Sequence, residues 1–120
     1  MKSTKRDFEC FKTAFLHWVN VFGLKSYHVT FEHKHLEDKY AELEYNIDSC
    51  SAVARLSTSA DESAPGEWGG PNHSALHEAL HLLLARLHTH GKWRYVTPDQ
   101  LNNEEEGIVR ILEKAFSSMQ

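Results

Sequence analysis

The chain has little of what marks a secreted, membrane-spanning or nucleic-acid-binding protein. Cys10 and Cys50 are its only two cysteines in 120 residues. They are too few for a disulfide framework and do not sit at a zinc-ribbon spacing, so both read as ordinary thiols of a reducing compartment. The start, Met-Lys-Ser-Thr-Lys-Arg, lacks the uninterrupted apolar core of a signal peptide because Asp7, Glu9 and Lys12 break the run; a cytoplasmic location is expected. No apolar stretch has the length of a membrane span. Positive charge is scarce and scattered, with 13 Lys and Arg against 17 Asp and Glu and a formal net charge of −4. That balance supplies no general attraction to nucleic acid or anionic lipid. There is no internal repeat and no composition shift that marks a linker, so residues 1–120 are expected to form one domain with a single core.

Histidine, by contrast, is abundant, with nine in the chain. Two of them frame the sharpest motif, His77-Glu78-Ala79-Leu80-His81, which reads H-E-x-x-H. On a helix, residues four apart lie on one face, one turn above the other. Two imidazoles so placed can take two corners of a tetrahedral zinc site, and the intervening glutamate can reach a metal-bound water as general base. The surrounding run supports a helix. Ala75, Leu76, Ala79, Leu80, Leu82, Leu83, Leu84 and Leu87 make it apolar on nearly every side, as in a helix buried within a soluble domain. Two histidines and a glutamate inside such a helix are expensive to desolvate without partners, and a metal ion with its water is one set of partners.

The rest of the chain reads as an α+β domain. Phe8, Phe11, Phe15, Trp18, Val19 and Phe22 recur at helical spacing before Gly23, which predicts an N-terminal amphipathic helix over about residues 4–22. Three β-like runs follow, 27–33, 40–47 and 51–57, with alternating apolar residues. The short connections Leu36–Lys39 and Asp48–Cys50 suit hairpins, so the expected sheet is small, three-stranded and mainly antiparallel. Residues 57–72, rich in Ser, Ala, Gly and Pro, predict a loop that delivers the chain into the H-E-x-x-H helix, expected from Asn72 to His90 with Gly91 as its stop. Thr97-Pro98-Asp99-Gln100 predicts a capped start for a last helix running nearly to the C-terminus.

A third protein ligand would complete the site and leave the fourth position to water. His88 and His90 lie further along the same helix and are expected to point away from the metal. The better candidates are Glu104, Glu105 and Glu106, early in the last helix. At about 100° per residue, Leu101, Ile108, Leu112, Ala115 and Met119 cluster on one face. Glu105 projects closest to the centre of that stripe, Glu104 lies at its edge, and Glu106 points towards the side bearing Arg110 and Glu113. The stripe predicts Glu105 as the ligand. As transition-state donor, Tyr95, His88, His90 and His73 are all open.

These residues carry a family resemblance. His77, Glu78 and His81, followed by the Glu104–Glu106 cluster with Ile108-Val109 and Leu112-Glu113, are similar to the gluzincin type of H-E-x-x-H zinc metallopeptidase, in which a separate glutamate helix supplies the third ligand. The layout, which covers nearly the whole chain, resembles the minigluzincins and small phage-encoded metallopeptidases; the sharp motif covers five residues. The metzincin pattern does not fit, because Leu84 and Leu87 stand where it requires glycine and a third histidine. Glu106-Gly107-Ile108-Val109 also resembles the glutamate-glycine-aromatic-alanine ligand segment of large gluzincin aminopeptidases, which favours Glu106. The resemblance implies Zn2+ held by His77, His81 and Glu105, peptide hydrolysis through a zinc-bound water with Glu78 as general base, and a peptide substrate extended along an edge strand. The alternative is a zinc-binding protein-interaction factor without turnover.

Overall fold

A computed structural model describes residues 2–59, 69–92 and 97–117. Helix α1, Lys5–Val21, starts at a capping box in which Thr4 Oγ1 accepts from the Asp7 amide and Asp7 Oδ2 accepts from the Thr4 amide. Its apolar stripe buries Phe11, Phe15, Trp18 and Val19. The helix ends at Phe22, and Gly23 turns the chain with φ +72°, a left-handed conformation that suits glycine.

The sheet consists of β1 (His28–Lys34), β2 (Ala41–Asn46) and β3 (Ser51–Ser57), in the order β1-β3-β2. β2 and β3 form the expected antiparallel hairpin, but β1 pairs with β3 in parallel. The expectation of a mainly antiparallel sheet with a hairpin at Leu36–Lys39 is therefore corrected to a mixed sheet. The segment between β1 and β2 spans the end of the central strand instead. Its backbone explains the arrangement: the Ser57 amide donates to Tyr40 O, the Thr58 amide to Lys34 O, and Ser57 Oγ accepts from the Leu36 amide. β3 is the natural centre because Ala52, Ala54 and Leu56 give it the most buried inner face of the three strands. On the outer face Arg55 lies opposite Glu32 and Glu42 in register and pairs with both, and with Glu44.

The H-E-x-x-H segment forms α2, Pro71–Leu83. Ala75, Leu76, Ala79, Leu80 and Leu82 bury into the core with α1 and β3, as a helix apolar on most sides demands. The single expected helix is broken at Leu84 (φ −93°, ψ 5°), and α3, Ala85–Gly91, continues beyond it. Helix α4, Pro98–Ser117, begins with the expected capping box, Thr97 and Gln100 exchanging two hydrogen bonds of 3.1 Å. It runs antiparallel to α2 and α3, with Leu101 near Gly91 and Glu113 near His77. Cys10 and Cys50 are free thiols. No described helix is long and apolar enough to cross a membrane.

The inward face of α4 is not the predicted stripe. Val109 is 0 % exposed, whereas Ile108 of the stripe is 38 % exposed and Ala115 is exposed as well. Glu113 is buried, and Glu105, Glu106, Leu112 and Phe116 are half-buried. The buried face is centred on Val109, about one residue, or 100°, round from the stripe. Met119 lies outside the described residues.

Candidate metal centre

A cleft of about 870 Å³ opens between β2 and the helices α2 and α4. His77 and His81 project into it from successive turns of α2, and their Nε2 atoms face each other at 3.3 Å. Glu106 of α4 comes to the same point: Oε1 lies 2.8 Å from His81 Nε2 and Oε2 3.9 Å from His77 Nε2. Donor atoms of these three residues all lie within 4.8 Å of one another. Tetrahedral zinc with bonds of about 2.0–2.1 Å holds its ligand atoms about 3.3 Å apart. The spacing across the Nε2 pair fits that requirement without rearrangement.

The opposite ring nitrogens are fixed as well. His77 Nδ1 donates to Glu113 Oε2 at 2.7 Å, and His81 Nδ1 donates to Glu105 Oε2. A carboxylate can only accept, so each Nδ1 carries a hydrogen; when the ring is neutral, its Nε2 presents the lone pair that a metal needs. Glu113 also reaches His73 Nε2 at 3.2 Å. The second oxygen of Glu105 meets His88 Nδ1 closely but off the line of a hydrogen bond. Four imidazoles of α2 and α3 thus face three carboxylates of α4.

The structure does not bring Glu105, expected as third ligand, to the Nε2 pair. Glu105 lies on the far side of the His81 ring, against Nδ1, and is not one of the three converging residues; Glu106 is. The physical reason is the turn of α4, which brings the side bearing Glu106, Arg110 and Glu113 towards α2. Glu104 is exposed. Glu106, which the short Glu106-Gly107-Ile108-Val109 resemblance favoured, is the carboxylate that faces the Nε2 pair. Glu113 was missed as a histidine partner, although its position two turns after Glu106, on the same side, was a usable signal.

Glu78 is buried and lines the same cleft. Burial raises its pKa above the ordinary carboxylate range, against the pull of His81 and His77. For His77 and His81 burial disfavours the charged ring, yet both pKa values are raised, because the hydrogen bonds they donate to Glu113 and Glu105 and the charge of Glu78 outweigh it. Burial likewise opposes ionisation of Glu105 and Glu113, but their histidine partners hold both below the usual range. The raised histidine values and the lowered carboxylate values reflect the same imidazole–carboxylate pairing, and a cation at the Nε2 pair would compete with protons for it.

Of the possible transition-state donors, His73 is half-buried in the cleft wall and tied to Glu113, and His88 is buried against Glu105. His90 is exposed on α3 and does not line the cleft. Tyr95 lies outside the described residues. Gly69, with φ +66°, helps to seat His73, since a Cβ there would come within 2.9 Å of its ring. Tyr45 of β2 also lines the cleft; burial, then the nearby Glu105, raises its pKa. The short alternating pattern of β2 carried no hint that Tyr45 would line a cleft. No protein-family model matches the chain, and no curated protein or solved structure is significantly similar to it.

Proposed function

We propose that this protein is a zinc-dependent peptidase in which His77, His81 and Glu106 hold the ion and Glu78 is the general base. The observation that carries the reading is the convergence of two Nε2 atoms and a carboxylate, each imidazole oriented by a second carboxylate, beside a buried glutamate. Two imidazoles and one carboxylate suit zinc and leave a coordination position for substrate or water. Bound there, zinc supplies Lewis acidity towards a carbonyl oxygen and acidifies a water molecule.

The chain's own residues do the remaining work. Glu105 and Glu113 hold the imidazole rings in one tautomer and one orientation. Glu78 accepts a proton from the attacking water and delivers it to the departing amine; its raised pKa brings it closer to the range a neutral-pH base needs. β2 is an edge strand, and Ala41, Glu42 and Leu43 line the cleft beside Glu78. An extended peptide adding to that edge would lie across the site by backbone pairing, the mode of recognition expected for a protein or peptide substrate. The two free thiols agree with a reducing, cytoplasmic setting.

The test is metal analysis of untagged protein together with the Glu78→Gln variant. Both proteins are expected to bind one zinc, and only the wild type is expected to cleave an unstructured protein substrate. Zinc-bound protein that is equally inert with Glu78 or Gln would assign the site to binding without turnover, and less than about half an equivalent of zinc would sink both readings.

A further inference from the structure

We propose that Arg110 makes the cleft selective for a substrate carboxylate. The inference rests on the peptidase reading and extends it to substrate class. Arg110 lies one turn after Glu106 on α4, is exposed, and contributes to the cleft wall. Helical spacing gives it two potential partners, Glu106 four residues before and Glu113 three residues after. Neither is available. Glu106 is drawn to the Nε2 pair, and Glu113 is shared by His77 and His73.

The other charges lining the cleft are accounted for. Lys39 pairs with Glu42 at 3.2 Å, and Glu42 also accepts from Arg55 at 2.9 Å. Glu105 is engaged by His81 and His88. Glu78 is committed as the base. Among the described residues, Arg110 is the cleft cation with no ion pair or hydrogen bond. A guanidinium presents a planar fork that matches a carboxylate with two parallel hydrogen bonds. Its place one turn after Glu106 puts that fork on the α4 wall of the cleft, which β2 also lines. A peptide paired with β2 would therefore turn side chains, or its C-terminus, towards Arg110. Two sources share this chemistry, an Asp or Glu side chain next to the scissile bond and a free C-terminal carboxylate.

Three thiol-capped dipeptides separate them, the thiol serving to engage zinc: one ending in Glu-amide, one in Gln-amide, and one in Gln with a free C-terminus. Binding to zinc-loaded wild type, Arg110→Ala and Arg110→Lys is measured by calorimetry, with zinc content checked for each. One of the two carboxylate probes is expected to bind wild type about ten-fold or more tightly than Gln-amide. The same ratio is expected to fall to near one in Arg110→Ala and to be partly restored in Arg110→Lys, with Gln-amide binding unchanged throughout. Preference for Glu-amide identifies an acidic side chain as the ligand, and preference for the free C-terminus identifies the terminal carboxylate. A wild-type ratio near one, or a ratio that survives Arg110→Ala, overturns the proposal while leaving the zinc site standing. Absence of bound zinc overturns the peptidase reading and the proposal with it.

Discussion

Glu105 and Glu106 are neighbours in sequence, yet about 100° of helix separates their directions and hence their tasks. Glu106 faces the Nε2 pair, whereas Glu105 braces His81 from behind. Removing a ligand and removing its support have different consequences. Glu105→Ala and Glu113→Ala are each expected to weaken zinc binding about 10- to 100-fold, and Glu106→Ala by more than that. Competition titration with a chromophoric chelator measures all three, and a larger loss in Glu105→Ala than in Glu106→Ala would reverse the assignment. Glu78 makes a second residue-scale prediction. Its pKa is raised in the fold, so the ionised carboxylate is disfavoured there, and the penalty grows as pH rises above the ordinary value of 4.5. Glu78→Gln is expected to stabilise the metal-free protein by roughly 0.5–2 kcal/mol at neutral pH, with a smaller gain near pH 5, as read by urea denaturation. A destabilised variant at neutral pH would contradict this.

At the scale of elements, what could be read in advance depended on whether the cause was local. The capping boxes at Thr4 and Thr97, the stripe of α1 and the alternation of the strands arise from neighbouring residues, and α1, the β2–β3 hairpin and the start of α4 lie where those patterns put them. The insertion of β3 between β1 and β2 is a long-range choice made by the whole inner face, and no turn residue encodes it. The orientation of α4 was obscured by chemistry instead. Hydrophobic periodicity ranks Ile108 above glutamates, but the partners offered by α2 are histidines, and carboxylates satisfy them. A helix that docks through polar pairs hides its inner face from an apolar-stripe argument. The consequence is measurable: Val109→Ala is expected to cost about 1–3 kcal/mol through the cavity it leaves, whereas Ile111→Ala at the exposed surface stays within about 0.5 kcal/mol. Equal costs would place the inner face elsewhere.

Across the whole molecule, apolar burial gathers on one side of α2 and charge on the other. α1, β3 and the core face of α2 share the large fully buried side chains, while Val109 is the fully buried apolar residue of α4. Apart from the apolar contacts of Val109, Leu112 and Phe116, the attachment of α4 depends on what balances its carboxylates. His77 and His81 have raised pKa values, so their stabilisation of the metal-free fold is complete below the ordinary value of 6.5 and is lost as pH rises through the raised ones. Glu105 and Glu113 have lowered values; their contribution is present above 4.5 and is lost as pH falls through the lowered ones. Metal-free docking of α4 is thus tightest in a mildly acidic window and loosens when the imidazoles lose their protons. A cation at the Nε2 pair substitutes for those protons, so zinc affinity should rise with pH as docking without zinc declines. In hydrogen exchange corrected for intrinsic rates, α4 of the metal-free protein should lose protection as pH rises above 6.5 while α1 and β3 do not. Zinc should restore protection in α4 and remove the pH dependence. A change spread evenly over α1, β3 and α4 would mean that the ion acts on global stability; a change confined to α4 would identify the imidazole–carboxylate interface as the part of the fold that the metal completes.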